Sequence, residues 1–507
     1  MTHRTMLKRR LPRVPLLLAS LLVMAGCSLA PTYERPDVAA PGAFKESLDP
    51  AQQAKWKVAQ PSEAVARGQW WTIFGDATLN GLEDQALAAN QDLRAAAARV
   101  AQSRALLGTA RSDQYPQVGA AFGPTRQRAS AAAQGVAPDD AAGPSTLWRA
   151  QVGIAYEVNL FGRVANSVSA ARADTEQSEA LFESVRLALQ ADVAQAHFLV
   201  RQLDAEQEIY VGTVALREQT LKLVQRRFDE GDISELDVAR ARTELASAQS
   251  ESMSIARRRA AAEHALATLL GSAPAAFSLP AQPLTRVSVI VPAGLPSALL
   301  ERRPDVAAAE RAMAAANARI GVARSAFFPS LAITGAAGYE SAQLSDLFEW
   351  SSRAFLIGPL AGAMLSMPIF DGGRRQAGVN RAHAVYEEDV ARYRQTVLNA
   401  FREVEDSLAN LRILADQTEA QDTAVNASSR AAQLSHFQYR EGSISYLDVI
   451  DADRSVLTQK RVSVLLDGER ARSAVDLIRA MGGGWSPAAV SDARNPGDIR
   501  LAVGSTR

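Results

Sequence analysis

Within Leu147–Leu160, apolar residues recur at every second position from Trp148 onward. Trp148, Ala150, Val152, Ile154, Tyr156, Val158 and Leu160 fall on one face, and Arg149, Gln151, Gly153, Ala155, Glu157 and Asn159 on the other. A period of two over so long a run predicts one long strand. Strands of soluble sheets usually hold about 5–6 residues, whereas a membrane-spanning strand needs about 9–11 with its two faces in different media. A half-buried strand of a soluble sheet is the competing reading. Weaker alternation at 116–123, 329–339 and 355–369 predicts three further strands, whose faces carry small or apolar residues, Gly, Ala and Ser.

The remaining pattern is helical and unusually long. Val164 to Phe228 contains no Pro and one Gly, Gly212; Arg375 to Arg440 contains no Pro and one Gly, Gly378. Helices are predicted over 164–228, 233–270, 374–440 and 445–481. At ~1.5 Å per residue the longer pair reach on the order of 100 Å. Frequent charges exclude membrane-spanning helices, and Ala interleaved with Leu and Val suits close, coiled-coil-like seams.

Two copies of one unit account for this order. "FDEGDISELDVARART" at 228–243 returns as "YREGSISYLDVIDADRS" at 439–455. Likewise "ARSDQYPQVGAAFG" at 110–123 matches "ARSAFFPSLAITGAAG" at 323–338, and "NLFGR" at 159–163 echoes "PIFDGGR" at 368–374. Each copy reads helix, strand, loop, strand, long helix, turn, helix. A spacing near 210 residues is too long for a solenoid repeat and implies a duplicated half-protein. The expected layout is a targeting segment at 1–26, an N-terminal segment at 27–70, a first repeat at 71–271, a linker at 272–295, a second repeat at 296–482 and a tail at 483–507. Pro116, Gly162, Pro329, Gly372 and Gly373 mark the four strand–helix junctions, where the period changes from 2 to 3.6.

Four strands cannot close a barrel, and open sheet edges are not tolerated in lipid, where each unpaired backbone group costs several kcal/mol. Several copies of the chain must therefore pool their strands into one barrel, which the helices extend as a tube.

Composition narrows this reading. The 507 residues carry no net charge, which gives no reason to expect nucleic acid, and the single cysteine, Cys27, excludes an internal disulfide. His3, Arg4, Lys8, Arg9, Arg10 and Arg13 precede an apolar run, Val14 to Val23, too short to span a bilayer as a helix. That run ends in "VMAGC", which resembles a bacterial lipobox despite Met24 in place of the usual Leu. Lipidation of Cys27 (diacylglycerol and a fatty acyl chain) would anchor the mature N-terminus in a leaflet. Ser28, rather than Asp, favours the outer membrane by resemblance to sorted lipoproteins. A plain signal peptide beside an incidental cysteine is the alternative. His3, His197, His264, His383 and His436 lack metal-ligand spacing, and CxxC, GxxxxGK and GxSxG are missing. No catalytic residue, metal or other cofactor is expected, and a chain without an energising module is a passive conduit.

Several stretches carry a family resemblance: "CSLAPTYERP" at 27–36, "WWTIFGDATLNGLEDQALAANQDLRAAAARVAQSRA" at 70–105, "LPSALLERRPDVAAAERAMAAANARIGVARSAFFPSLAITGAAG" at 295–338, "YEVNLFGR" at 156–163 and "MPIFDGGR" at 367–374. From Cys27 to about Trp485 the chain resembles the TolC-like outer membrane factors, of the lipoprotein branch called NodT-type. The resemblance implies a mainly α fold with membrane β-strands. It implies a homotrimer sharing a twelve-stranded barrel, an α-helical barrel and an equatorial domain built from the N-terminal segment, the linker and the tail. The implied function is the exit duct of a tripartite pump for small molecules or drugs, lipid-anchored in the outer membrane and reaching into the periplasm. The implied partners are a periplasmic adaptor (membrane fusion) protein and an inner-membrane pump of the resistance-nodulation-division (RND) type. A duct for type I protein secretion and a poreless coiled-coil lipoprotein are the alternatives. The strands argue against the second, and the lipobox with the NodT-like signature favours efflux over the first.

The two turns are the candidate functional elements. Ser234 with Asp237, and Ser445 with Asp448, fit capping boxes, each preceded by a turn glycine, Gly231 and Gly442. Asp451 lies one turn after Asp448, and its counterpart in the first repeat is Arg240. No capping rule needs Asp451. By resemblance, Asp448 and Asp451 line a periplasmic constriction, with Arg454 a further turn on. Rings of carboxylates are a usual selectivity device. A bridge from Arg240 to Asp448 or Asp451 is expected to bias the closed state; solvated charges are the competing reading.

Overall fold

The computed structural model describes residues 28–36, 44–46, 57–58, 69–128, 130–135, 137, 139, 143–286, 289–290, 303–357 and 362–483. The targeting segment, Cys27, 291–302 and the tail beyond 483 lie outside the described residues. Seven helices of more than one turn are described: α1 (Ala77–Ala89), α2 (Gln91–Ser112), α3 (Arg163–Asp229), α4 (Glu235–Leu269), α5 (Pro304–Ser325), α6 (Arg374–Arg440) and α7 (Tyr446–Ala480). The strands are β1 (Lys57–Val58), β2 (Gln117–Gln127), β3 (Ser145–Val158), β4 (Val289–Ile290), β5 (Ser330–Ser341), β6 (Arg353–Ile357) and β7 (Ala363–Ser366).

The duplication is visible in the lengths. Helices α2 and α5 hold 22 residues each, α3 and α6 hold 67 each, and α4 and α7 hold 35 each. Every bound of α3 and α4 recurs 211 positions later in α6 and α7. No described helix is long and apolar enough to cross a membrane.

The chain divides into two compact units. The first comprises residues 1–36, 100–178 and 309–392 and carries the larger sheet. Its order is β2-β3-β5, with β6 and β7 occupying successive stretches of one lane beside β5. All its pairings are antiparallel; Gln117 faces Ala155, and Trp148 faces Ser341. The sheet departs from expectation at two places. Strand β2 continues to Gln127 rather than stopping at 123. Pro124 lies within this extension, opposite Trp148 of β3. The strand expected over 355–369 divides into β6 and β7: Gly335 faces Ile357 and Ile333 faces Ala363, with 358–361 between them outside the described residues. Gly362, at a φ of 97°, directly precedes β7, and its carbonyl accepts from the Thr334 amide at 2.7 Å.

Large apolar side chains stand exposed on this sheet, among them Val118, Phe122, Val152, Phe355 and Leu356. So much apolar strand surface outside the core is what a lipid-facing wall requires.

The junction residues stand next to the strand and helix ends. Pro116 and Pro329 directly precede β2 and β5. Gly162, Gly372 and Gly373 adopt φ of 76°, 62° and 88°, a region open mainly to glycine. Asn159 caps α3 by accepting from the Val164 amide at 3.1 Å, and Asp371 caps α6 from the Gly373 and Arg375 amides at 3.1 and 3.2 Å. Phe161 stacks on Phe328 at 4.8 Å, so the two repeats meet at this level.

The second unit comprises residues 37–99, 179–308 and 393–507. Its core gathers Trp70, Trp71 and Leu79 with Phe198, Leu266 and Ile478. The linker is clamped onto it by ion pairs. Arg286 holds Asp422 at 2.8 Å and Asp467 at 2.9 Å, and buried Asp204 accepts from Arg259 at 2.7 Å and from the Gln282 amide at 3.0 Å.

Candidate functional site: the hairpin tips

Both long hairpins turn in the same way. Gly231 (φ 84°) donates to Phe228 O at 2.9 Å, and Asp232 donates to Arg227 O at 2.9 Å. Gly442 (φ 75°) donates to Tyr439 O at 3.0 Å, and Ser443 to Gln438 O at 2.9 Å. These paired bonds close Schellman motifs, which satisfy the last carbonyls of α3 and α6 around a left-handed glycine.

The returning helices start differently. At α7 the capping box is complete: the Asp448 amide donates to Ser445 Oγ at 3.4 Å, and the Ser445 amide donates to Asp448 Oδ2 at 3.0 Å. At α4 the Ser234 side chain accepts no amide hydrogen bond and donates to Asp237 Oδ2 at 3.3 Å. The Asp237 amide donates instead to the Ser234 carbonyl at 3.1 Å, and Arg240 stands beside the carboxylate. Its Nη1 lies 3.4 Å from Asp237 Oδ1, so the carboxylate is shared with a guanidinium one turn on. The second repeat has Asp451 at that position, a like charge that leaves Asp448 to its cap.

Arg240 therefore lies against its own helix, and within the chain the expected bridge to Asp448 or Asp451 is replaced by another. Arg454 reaches across the hairpins to Glu244 Oε1 with two nitrogens, at 3.0 and 2.5 Å, and holds Asp451 more loosely at 3.7 Å. Arg217, 4% exposed, lies 3.5 Å from Glu244 and 3.4 Å from Asp453. Asp453 in turn meets His436 Nε2 at 2.8 Å. The chain of polar contacts His436–Asp453–Arg217–Glu244–Arg454–Asp451 draws on α6, α7, α3 and α4. It borders a groove of about 450 Å³ lined in part by Gly212, Thr213 and Lys460.

Beyond it the tips share a small apolar core of Val224, Val238, Ala241, Tyr439, Tyr446, Val449 and Ile450. The Tyr439 and Tyr446 rings lie 5.7 Å apart, and neither buried hydroxyl has a hydrogen-bond partner among the described residues. Burial pushes the Tyr446 phenol up to about 12, so it stays neutral. Asp451 remains open to water, with 64% of its side chain exposed. Sequence reasoning had not singled out Arg217, Glu244, His436 or Asp453. Their signal was a second charge reversal between repeats: Arg242 stands where the second copy has Asp453, two residues beyond the reversal at 240 and 451. Arg242 bonds Gln225 at 3.1 Å across its own hairpin, and His436 with Asp453 occupies the same two positions of the second.

The family model described as "Outer membrane efflux protein" matches residues 82–272 and 295–483, one match per repeat. The chain belongs to this family. Among its relatives, outer membrane protein OprJ of Pseudomonas aeruginosa is 36% identical over 475 residues, covering 92% of this chain and 94% of OprJ. The cation efflux system protein CusC of Escherichia coli is 33% identical over 470 residues, covering 92% and 97%. Among solved structures, the outer-membrane channel OprN superposes with a TM-score of 0.82 at 29% identity, covering 91% of this chain and all of that one. The protein is an outer membrane efflux channel of TolC-like fold, not an enzyme.

Proposed function

We propose that the protein is the exit duct of a tripartite efflux system. Three copies pool their sheets into a twelve-stranded barrel, and small molecules or drugs leave through it, driven by an inner-membrane pump of the RND type joined through a periplasmic adaptor. The observation that carries this reading is a four-lane sheet with exposed apolar side chains, whose outer lanes β2 and β6–β7 each have one partner, running directly into 67-residue helices. One chain leaves two edges open, and lipid does not tolerate open edges. Lipid on Cys27 adds an anchor to the outer membrane.

The hairpin tips are the proposed gate. In a trimer Asp448 and Asp451 form rings of carboxylates, and the link from Arg454 to Glu244 holds the second hairpin against the first. Single-channel conductance of the purified trimer in a planar bilayer tests both parts. The wild type is expected to give small, cation-preferring openings, and Asp451→Ala and Arg454→Ala larger ones. Conduction that neither change alters keeps the duct and removes the gate from these residues. A folded trimer in which neither the wild type nor the variants conduct counts against the duct.

A further inference from the structure

Residues paired across the strands of the larger sheet share a face. One rung reads Phe122, Ala150, Tyr339 and Arg353. The next rung towards the helices reads Ala120, Val152, Ala337 and Phe355. Arg353 therefore stands on the face that carries the exposed Phe122, Val152 and Phe355. From there that face carries no charge down to Val158 and Leu331. On β3, residues 150 and 158 are about 26 Å apart at ~3.3 Å per residue. Strands tilted by roughly 40° turn this into about 20 Å of height, against ~25 Å for the apolar band of a membrane barrel. Arg353 thus sits at the border of the band, on the loop side.

Its guanidinium lies over the ring of Trp350, which is 76% exposed, and Nε donates to Trp350 O at 2.9 Å. Neither Nη has a hydrogen-bond or ion-pair partner among the described residues. The loop acids are engaged elsewhere: Asp346 Oδ1 accepts from Ser345 at 2.6 Å, and Glu349 Oε2 from Ser351 at 3.5 Å. On the opposite face Arg149 meets Glu340 at 2.9 Å. The arginine of that face has its carboxylate, and Arg353 has none. In the pooled barrel proposed above, β2 of the next copy closes against β6. It reads "QVGAAFGPTRQ", with no acid and with Arg126 on the same face as Phe122. A guanidinium with two nitrogens to spare, held on an aromatic ring at a membrane border, suits a phosphate.

We propose that Arg353, on its Trp350 platform, binds the phosphate of an anionic lipid in the leaflet at the loop end, with the acyl chains lying on the apolar wall below. Arg126 of the next copy adds a second cation at the seam. The site rests on the membrane barrel proposed above.

The test is native mass spectrometry of the protein released from nanodiscs holding equal parts phosphatidylglycerol and phosphatidylcholine. The wild type is expected to retain phosphatidylglycerol in preference. Arg353→Gln is expected to lower that preference about fivefold, the change that about 1 kcal/mol per arginine at a lipid surface produces. Arg149→Gln removes the same charge from the other face and is expected to leave the preference unchanged. A wild type without preference, no fall in Arg353→Gln, or an equal fall in Arg149→Gln overturns the proposal. Excess inorganic phosphate is expected not to displace the lipid; displacement assigns the site to a free anion and overturns the lipid. Should Arg353→Gln fail to assemble, Trp350→Leu, which removes the platform, decides by the same criterion. A protein that enters no nanodisc refutes the membrane barrel itself, a distinct outcome.

Discussion

Asp76 and His197 show how much one polar contact does in this chain. Asp76 caps α1 by accepting from the Thr78 and Leu79 amides at 2.8 and 3.1 Å, and its other oxygen meets fully buried His197 at 2.7 Å. The His197 contact, with those amides, holds the carboxyl down at about 2. Seven residues on, Glu83 shows the reverse. It is fully buried with no hydrogen-bond partner among the described residues, and burial, helped by neighbouring Asp84, pushes its carboxyl up to about 9. From about 4.5 to about 9 the folded state therefore holds a proton that the unfolded chain has lost, and stability falls as pH rises through that window. Glu83→Gln is expected to raise the melting temperature at pH 8 and to make little difference at pH 4. Thermal unfolding at the two values checks this, and equal shifts at both would show that Glu83 is ionised in the fold.

The turns carry the argument at the level of elements. Identical Schellman glycines end α3 and α6, yet only α7 begins with a closed capping box; at α4 the Asp237 amide bonds the Ser234 carbonyl and Arg240 lies against the carboxylate. Arg240→Ala is expected to free Asp237 for Ser234 and the α4 amides, stabilising that turn by about 1 kcal/mol. Slower amide hydrogen exchange over 234–238, with 445–449 unchanged, is the expected readout. Among the strands, β3 is held on both sides, by β2 and β5, and Val152 stands exposed on it. Val152→Asp puts a charge on that wall. It is expected to lower the melting temperature of the detergent-solubilised assembly, and a loop substitution such as Ser345→Asp is expected not to.

At the scale of the molecule, the unpaired edges make a statement about stoichiometry. The twelve-stranded barrel proposed above takes three chains of four lanes each, so native mass spectrometry in detergent is expected to give a trimer. A stable monomer that inserts into bilayers would require a different closure. The network from His436 to Asp451 draws on all four hairpin helices, so Arg217→Ala is expected to loosen both hairpins together. Buried pairs broken on one side cost several kcal/mol because the remaining charges stay desolvated. Parallel loss of exchange protection across α3 and α6 is the measurement.

Local chemistry determined much of this protein before any fold was known. Period two over 147–160, the long stretches free of proline and the glycine-marked turns each state a conformational preference that neighbouring residues alone enforce. Repetition of those signals made the duplication legible, down to helices ending 211 positions apart. Identical turns did not reveal which charges meet. Arg240 and Asp451 looked like partners because they are pseudo-equivalent, but helix packing sets Arg454 against Glu244 and leaves Arg240 on its own helix. Nor did alternation show that the fourth lane is shared by two strands, β6 and β7, since strand pairing is a contact between distant segments. Periodicity is a property of the backbone and is written residue by residue. Ion pairs and register depend on which surfaces the packed helices and strands bring within 3 or 4 Å, and only the tertiary structure decides that.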